Sequence, residues 1–312
     1  MGFDVTHAPT ASFILLCYNQ EETIASAVQS ILDQDCEPIE ILISDDASPD
    51  STFAVIEGTV SSYEGPHTVI IRQNSENLGV NRHIEMAINL CQSDLMIWTA
   101  GDDVNAPNRA QKIIEAHKAS KAKLIFSDAQ TITDTCEPGA SRYRGATLYH
   151  PFNLRKVATS FSLYLGATAA WHKDLFYKYG GFPAEKAHED LILGFRAALE
   201  DSLHYIPEKL VTYREDVGVS SHLSGKNSTL KNRARRSAIL KGQHTVLQQR
   251  LIDAETFGLM DDNSVCRNIR ALRARIEMRL SYYEGNKRAH CRAPVLLIHA
   301  LLSEWLRDVR NR

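Results

Sequence analysis

The sequence predicts an α/β protein in which a mostly parallel central sheet is flanked by helices and followed by a helical C-terminal region. Short apolar segments alternate with segments of helical periodicity over residues 11–213. Strands that alternate with helices need crossover connections, which make the sheet largely parallel. Residues 223–312 keep helical spacing and are rich in Arg. We therefore expect one α/β domain over residues 1–222 and a basic, mainly helical region over residues 223–312.

The strands of the predicted sheet are short apolar runs. They lie at residues 11–19, 39–44, 68–73, 94–100, 123–126 and 205–213. Apolar residues at helical spacing lie between these runs, at residues 21–34, 84–91, 107–117 and 191–199. Pro107 opens one of these helices, at a position where proline is tolerated. Residues 134–160 are rich in polar residues, Gly and Pro, and predict an irregular connection.

The composition excludes several classes of protein. Apolar residues make up 44% and charged residues 23% of the 312 residues, which is ordinary globular usage and excludes a disordered or collagen-like chain. The longest nearly unbroken apolar run, residues 295–302, is much shorter than the about 20 residues that cross a bilayer. The cysteines form no C-x-x-C pair, which argues against a zinc site and a disulfide framework. We expect reduced, mostly buried thiols in a cytoplasmic protein; the cysteines are Cys17, Cys36, Cys91, Cys136, Cys266 and Cys291.

The net charge of −3 hides an uneven distribution of charge. Residues 223–312 contain 18 Lys and Arg against 8 Asp and Glu, a net charge of +10, so residues 1–222 have a net charge of −13. An acidic body with a basic C-terminal region predicts an anionic partner, such as phospholipid headgroups or a phosphate-bearing acceptor. A solvated basic face, or docking on an acidic subunit, is the alternative interpretation. Nucleic acid is disfavoured because the basic residues show no interleaved aromatic pattern.

The final predicted helix is strongly apolar. It runs from Val295 to Leu306, contains Trp305 and is flanked by arginines. Such a helix is typical of one that lies on an anionic membrane surface with its tryptophan at the headgroup level. Packing on the α/β domain or on a second subunit is the alternative, and the sequence leaves both open.

Two acidic pairs follow predicted strands. Asp45-Asp46 and Asp102-Asp103 each come at the carboxyl end of an apolar run, and ligands bind beyond the carboxyl ends of parallel strands. One carboxylate of such a pair can bind Mg²⁺ or Mn²⁺ while the other orients the metal's waters. Turn formation and helix capping are the alternative roles for the same residues.

A third acidic pair opens a predicted helix. Glu189 and Asp190 follow His188, and a helix N-terminus stabilises carboxylates without any further function. The functional alternative is a general base, which must lie within hydrogen-bond distance of an acceptor hydroxyl.

The predicted strands and the three acidic pairs together resemble a family 2 glycosyltransferase with the GT-A fold. The order and spacing of the motifs match over about residues 10–222. Each motif alone is weak, whereas their common order is specific. The matching segments are Ser12-Phe-Ile-Leu-Leu-Cys-Tyr18-Asn19, Ile41-Leu-Ile-Ser-Asp45-Asp46-Ala-Ser48-Pro-Asp50-Ser-Thr52, Asn77-Leu-Gly79 with Asn81, Trp98-Thr-Ala-Gly-Asp102-Asp103, Gly180-Gly-Phe182, Glu189-Asp190 and Tyr213-Arg214.

The resemblance implies a donor site at the first two acidic pairs. Tyr18 matches a position that packs against the nucleotide base. Asp46 matches the carboxylate that binds the uracil edge, with Asp45 beside it. Asp102 and Asp103 match the acidic pair of the Asp-X-Asp motif, and Asp103 is the expected direct ligand of Mn²⁺ or Mg²⁺.

The resemblance implies three further roles. Asp190 matches the base of an inverting transfer. Arg214 is expected near the diphosphate or the closing C-terminal loop, and His222 as a further metal or phosphate contact. Two departures bear on the exact contacts: Leu16-Cys17 stands where the family often has small polar residues, and Gly101 precedes the acidic pair where the family often has another acid.

The predicted function is therefore an inverting, metal-dependent transfer of a sugar from a nucleotide-sugar to a hydroxyl group. UDP ranks ahead of GDP, TDP and CMP as the donor nucleotide. The acceptor is expected to be a glycan or a lipid-diphosphate-linked glycan in polysaccharide biosynthesis, with the enzyme in the cytoplasm and contact with the inner face of the membrane left open. Homo-oligomerisation also stays open. The alternative is a catalytically inactive subunit that binds the nucleotide-sugar.

Overall fold

An eight-stranded sheet forms the centre of the protein in the computed structural model, which describes residues 8–132, 148, 152–183, 188–214, 229–285 and 295–310. In chain order the strands are β1 (Ser12–Cys17), β2 (Glu40–Asp45), β3 (Thr68–Gln73), β4 (Leu95–Ala100), β5 (Val104–Asn105), β6 (Leu124–Ile132), β7 (Ala170–His172) and β8 (Leu203–Arg214). Their order across the sheet is β3-β2-β1-β4-β7-β6-β8-β5.

The sheet is parallel where the first strands lie. β1 pairs in parallel with both β2 and β4, and β2 pairs in parallel with β3. β6 and β8 are also parallel, whereas β7 runs antiparallel between β4 and β6, and β5 runs antiparallel to β8. The predicted, mostly parallel sheet is confirmed, with antiparallel pairing confined to two short strands.

Helices cover both faces of the sheet. Those that connect its strands are α1 (Ile24–Leu32), α2 (Thr52–Val60), α3 (Val80–Leu90), α4 (Arg109–Ser120), α5 (Leu154–Thr159), α6 (Asp174–Tyr177) and α7 (Glu189–Leu199), and a short 3-10 turn spans Gly166–Thr168. Alternate residues of each strand enter opposite cores. Phe13 and Leu15 pack with α1 and α4 on one face, and Ile14 packs with α3 and α7 on the other.

The structure adds elements that the sequence pattern did not predict. α2 buries only Thr52 and Ile56, so it lacks the continuous apolar stripe that indicates a helix. β5 and β7 are too short, at two and three residues, for an alternating pattern. The irregular connection predicted over residues 134–160 is wrong for residues 154–159, which form α5. Asn153 caps this helix by accepting a hydrogen bond from the Arg155 N–H.

The C-terminal region is helical where the structure describes it, as predicted. It contains α8 (Thr229–Phe257), α9 (Ser264–Tyr283) and a final helix, α10 (Val295–Arg310). Buried residues of α8 and α9 belong to the same apolar core as α3 and α7; among them are Leu240, Val246, Leu247, Ile269 and Ile276. The predicted boundary at residue 222 lies outside the described residues, so the division into two parts stays a prediction. No helix within the described ranges combines the length and the apolar character needed to cross a membrane.

Candidate functional site

The carboxyl ends of β1, β2 and β4 meet at one edge of the sheet. The N–H of Asp46, just beyond β2, donates to the Cys17 carbonyl at 2.9 Å. The N–H of Gly101, just beyond β4, donates to the Leu16 carbonyl at 3.2 Å. Because these bonds join three strand ends, the structure brings Tyr18 and both strand-end acidic pairs to the same edge.

Asp45 and Asp46 are buried and bind the loops around them. Asp45 Oδ2 accepts from the Ser48 N–H at 3.0 Å and from Gln73 Nε2 at 2.7 Å.

Asp46 Oδ1 accepts from Asn74 Nδ2 at 2.7 Å and from the Leu78 N–H at 2.9 Å, and its Oδ2 accepts from the Gly79 N–H at 2.9 Å. A carboxylate has about four acceptor sites. The Asp46 carboxylate is therefore rigidly held and keeps capacity for one further donor.

Tyr18 is a large side chain left open to solvent beside these buried carboxylates. It follows β1 directly, and 46% of its surface is exposed. Asn19, the next residue, has a positive φ of 56°, a conformation that Asn tolerates better than most residues. Its N–H donates to Ser48 Oγ at 2.8 Å, which fixes the turn against the loop after β2. An exposed aromatic ring on a fixed turn is available for stacking on a flat ligand.

Gly101 is required by close packing between the ends of β4 and β1. A Cβ atom at this position would lie 2.6 Å from Gln20 Oε1 and 2.8 Å from both Cys17 Cβ and Ile24 Cδ1. The Thr23 hydroxyl also donates to the Gly101 carbonyl at 2.8 Å. The structure thus explains why glycine precedes Asp102 here, since no side chain fits.

The strand pairing brings Arg214 to the second acidic pair. In the antiparallel pairing of β5 with β8, Val104 lies opposite Thr212. Continuing that register places Asp102 and Asp103 beside the end of β8, where Arg214 lies. Burial raises the pKa of Asp102, and the positive charge of Arg214 partly offsets that rise.

Asp103 is the most unusual side chain of this edge. Only 1% of its surface is exposed, and neither carboxylate oxygen has a hydrogen-bond partner among the described residues. Burial and the nearby Asp102 raise its pKa well above the ordinary value, although the backbone N–H of Arg214, which lies nearby without reaching hydrogen-bond geometry, and the charge of Arg109 oppose this. Buried carboxylates are normally paired, hydrogen-bonded or bound to a metal.

The two carboxylates fit a Mg²⁺ or Mn²⁺ ion shared with a substrate. In the described part of the chain, no group of three or more His, Cys, Asp or Glu residues is placed to hold a metal on its own. Mg²⁺ is commonly held by only one or two carboxylates, with waters and substrate phosphates completing the octahedron. The unpartnered oxygens of Asp103 therefore fit such an ion. The predicted ligand His222 lies outside the described residues.

A buried arginine holds the structure around Asp103. The Arg109 guanidinium has no exposed surface and donates to the carbonyls of Trp98 at 2.9 Å and Ala167 at 3.0 Å. It also hydrogen-bonds to the Asn105 side chain. Arg109 thereby fixes β4, which precedes the acidic pair, against the 3-10 turn at residues 166–168.

That 3-10 turn lies against the third acidic pair, at the start of α7. A Cβ atom at Gly166 would lie 3.5 Å from Glu189 Oε1 and 3.7 Å from Asp190 Cβ. Burial and the neighbouring Asp190 raise the pKa of Glu189 to about 7. Burial also raises the pKa of Asp190, against the opposing charges of His188 and Arg250. A carboxylate with a raised pKa is a stronger base than one with the ordinary value, which suits proton abstraction.

Arg250 supports this pair from the C-terminal region. It lies on α8, is fully buried and donates to the carbonyls of Leu191 at 3.0 Å and Ala158 at 3.0 Å. The first of these carbonyls belongs to the residue after Asp190. Arg250 therefore holds the first turn of α7 in place and puts a positive charge near Asp190.

Arg109 and Arg250 support the site but belong to none of the motifs predicted from the sequence. Arg109 shares the inward face of α4 with Ala110, Ile113 and Ile114. This helical spacing indicates, from the sequence, that the Arg109 side chain is buried. Arg250 has no comparable signal, because the helical spacing of α8 is weak and its partners lie 59 or more residues away.

A family model identifies the chain from its sequence. The model described as "Glycosyl transferase family 2" matches residues 12–180, which is more than half of the chain. The matched segment contains β1 to β7 and both strand-end acidic pairs.

Curated relatives are consistent with that match. The abequosyltransferase RfbV of Salmonella typhimurium is 28% identical over 224 residues, covering 66% of this chain and 66% of RfbV. The chain spans between about half and two thirds of the length of the first curated relatives that it matches.

Solved structures share the fold. The S. aureus TarS 1–349 structure in complex with UDP-GlcNAc has a TM-score of 0.56 at 16% identity, covering 88% of this chain and 87% of that one. The mannosyltransferase PcManGT of Pyrobaculum calidifontis, in complex with GDP-Man and Mn²⁺, has a TM-score of 0.55 at 15% identity, covering 97% and 81%. The GT-A fold expected from the sequence is confirmed by these likenesses.

Proposed function

Because the chain belongs to glycosyltransferase family 2, we propose that it transfers a sugar from a nucleotide-sugar to a hydroxyl group of a glycan or lipid-linked glycan in polysaccharide biosynthesis. The transfer inverts the anomeric centre and depends on Mn²⁺ or Mg²⁺. The single observation that carries this proposal is Asp103, a buried carboxylate at the end of β4 whose oxygens have no hydrogen-bond partner among the described residues.

The donor site would use the sheet edge where β1, β2 and β4 end. Tyr18 would stack on the base, and Asp46 would accept a hydrogen bond from its edge with Asp45 beside it. UDP ranks first because a uracil ring offers an N–H donor to a carboxylate. One structural neighbour was solved with UDP-GlcNAc and another with GDP-Man, so both nucleotides belong in the test.

Asp103 would hold the metal directly, with Asp102 orienting its waters. When bound, such an ion neutralises negative charge on the leaving diphosphate. Arg214, beside this pair, would contribute further positive charge. His222 is proposed as an additional metal or phosphate contact.

Asp190 would take the proton from the acceptor hydroxyl as that oxygen attacks the anomeric carbon. The bond to the diphosphate breaks as the new glycosidic bond forms, so a single displacement inverts the centre without a glycosyl-enzyme intermediate. Burial favours this role because it raises the pKa of Asp190. The enzyme would act in the cytoplasm, as the absence of paired cysteine motifs in the sequence predicts.

A thermal-shift experiment tests the donor site. The melting temperature is measured with UDP, GDP, TDP and CMP, each with and without Mn²⁺, for the wild type, Asp103→Ala and the control Glu85→Ala. Glu85 is an exposed acid on α3. A ligand at 100 times its dissociation constant adds roughly 2.7 kcal/mol of stability. UDP with Mn²⁺ should stabilise the wild type and Glu85→Ala, and Asp103→Ala should lose the metal-dependent part.

The competing function is a catalytically inactive subunit that binds the nucleotide-sugar. Turnover of UDP-sugars by the wild type separates the two. Asp190→Asn should lower kcat by about 10²- to 10⁴-fold, the usual contribution of a general base, without changing the stabilisation by UDP. Nucleotide binding without turnover in any acceptor mixture would favour the inactive subunit, and no shift with any nucleotide would refute the donor site.

A further inference from the structure

Over residues 298–308, the final helix, α10, buries its two acidic side chains and exposes large apolar ones. Ala300, Glu304 and Asp308 are buried at successive intervals of four residues. The outward side chains are large and apolar: Ile298, Leu302, Trp305 and Leu306 are between 41% and 51% exposed. A helix that packs on a globular core normally does the reverse.

Charge pairing explains this orientation. Glu304 accepts two hydrogen bonds from the Arg236 guanidinium of α8, at 2.7 and 3.1 Å. Asp308 forms an ion pair with Arg233, which also lies on α8. Two paired and buried carboxylates fix the rotation of α10 about its axis, because turning the helix would break both pairs.

Tyrosines of α9 hold the same two carboxylates. The Tyr282 hydroxyl donates to Asp308 at 3.0 Å, and the Tyr283 hydroxyl donates to Glu304 at 2.8 Å. The apolar side chains thus face outward because four residues, two on α8 and two on α9, bind the two carboxylates of α10.

The outward face of α10 is apolar and basic. Both acidic residues of the helix point inward, and the exposed side chains among residues 298–308 include Arg307 but no acid. The surrounding sequence adds to this charge, since residues 223–312 have a net charge of +10. Apolar side chains with a tryptophan, next to basic residues, are the pattern of helices that lie in a membrane interface.

We propose that the face formed by Ile298, Leu302, Trp305 and Leu306 docks the protein on an anionic phospholipid surface. The proposal commits to lipid because of charge. Two copies joined symmetrically through this face would bring together two C-terminal regions that each have a net charge of +10 in the sequence, whereas anionic headgroups attract such a region. The inference stands apart from the proposed donor site, since none of these residues belongs to that site.

Vesicle binding tests the proposal. The full chain is sedimented with vesicles of phosphatidylcholine alone and of phosphatidylcholine mixed with phosphatidylglycerol. The wild type should bind the mixed vesicles and not the neutral ones, and high salt should weaken the binding. Leu302→Asn combined with Leu306→Asn should weaken it about a hundredfold, roughly tenfold for each leucine removed from the interface.

A matched control uses exposed apolar residues elsewhere. Leu90 and Met260 are 48% and 74% exposed. Leu90→Asn combined with Met260→Asn therefore also replaces two exposed apolar side chains by Asn, but outside α10. This control should bind like the wild type, and melting curves check that both double variants stay folded.

Tryptophan fluorescence gives an independent readout of the contact. Trp98 and Trp171 are buried and stacked on each other with ring centroids 5.0 Å apart, so Trp305 is the exposed reporter. Its emission should shift to shorter wavelength with mixed vesicles, and Trp305→Phe should remove the shift.

Three results would overturn the proposal. Equal vesicle binding by the Leu302/Leu306 double variant would mean that charge alone attracts the protein to lipid. Absence of binding to both vesicle types would exclude a lipid surface. A concentration-dependent dimer that the same double variant abolishes, without vesicle binding, would assign the face to a second copy of the chain.

Discussion

Arg196 of α7 and Asp253 of α8 form a two-point salt bridge in which neither side chain is exposed. Arg196 Nε lies 3.0 Å from Asp253 Oδ2, and Arg196 Nη2 lies 3.1 Å from Asp253 Oδ1. Arg196 also donates to the carbonyls of Leu175 at 2.9 Å and Gly181 at 2.7 Å. This single guanidinium therefore ties α6, the glycine turn after it, α7 and the first C-terminal helix into one packed unit.

Breaking this pair on one side should destabilise the protein strongly. Asp253→Ala leaves the Arg196 charge buried without its partner, which costs about 3–5 kcal/mol. Chemical denaturation of the wild type and the variant measures the difference in the free energy of unfolding. Arg196→Met combined with Asp253→Leu serves as the control, because removal of both charges should recover most of the loss. A loss below 1 kcal/mol for Asp253→Ala would contradict this prediction.

The same salt bridge bears on the predicted division of the chain at residue 222. A chain that ends at that residue lacks α8 and so lacks both Asp253 and Arg250. Residues 1–222 alone should therefore fail to fold cooperatively, as circular dichroism melting would show. A sharp melting transition of this fragment would instead support two independent domains.

The sheet edge of the candidate site was predictable because parallel strands all carry their carboxyl ends to one side. Asp46 and Asp103 could be assigned to this edge from the ends of apolar runs alone, whereas Tyr18 was identified only through the resemblance to the family. Each of these positions depends on local sequence and on strand direction, which the alternation of helices and strands already implies.

The burial of Arg250 and the orientation of α10 were not predictable from local patterns, and the burial of Arg109 was indicated only by its place on the apolar face of α4. Arg109 and Arg250 are buried among backbone carbonyls, whereas a charged residue on a helix is normally expected in solvent. In α10 the apolar side chains face outward because Glu304 and Asp308 pair with residues about 70 positions earlier. Long-range pairing of this kind leaves no periodic signal.

Glu189 should make the stability of the protein depend on pH. Its pKa is raised from 4.5 to about 7 in the folded protein, so the folded state holds this proton more tightly than the unfolded state. The resulting stabilisation is fully present below about pH 4.5 and is lost as the pH rises to about 7. Glu189→Gln mimics the protonated group and should abolish this loss.

Denaturation of the wild type and Glu189→Gln between pH 4 and pH 8 measures that effect. The two should be equally stable at the acid end, and the variant should be more stable by roughly 3 kcal/mol above pH 7, since one unit of pKa shift corresponds to about 1.4 kcal/mol. Glu85→Gln, on the exposed face of α3, is the control and should follow the wild type. A constant difference across this range would show that the pKa of Glu189 is not raised.

Asp103 should destabilise the protein when no metal is bound. Its buried carboxylate has no hydrogen-bond partner among the described residues, and burial raises its pKa. Asp103→Asn keeps the shape and removes the charge, so the variant should be about 1–3 kcal/mol more stable in EDTA.

Added Mn²⁺ with UDP should reverse this order. The wild type gains stability from the bound ion and nucleotide, whereas Asp103→Asn gains much less and turns over no sugar. Melting curves in EDTA and in Mn²⁺ with UDP measure both effects, with Glu85→Gln as the control. A less stable Asp103→Asn in EDTA would mean that other groups already compensate the carboxylate.

Arg250 should set the pH at which the Glu189–Asp190 pair becomes active as a base. Its positive charge lowers the pKa of Asp190, and its hydrogen bond to the Leu191 carbonyl holds the first turn of α7. Arg250→Met removes both, so the rising limb of kcat against pH should move up by on the order of one unit. Arg250→Lys keeps the charge and should leave that limb near its wild-type position, while the KM for the donor stays unchanged in both variants. If both variants lose stability and neither moves the limb, Arg250 only supports packing, and the position of Asp190 is set by other residues.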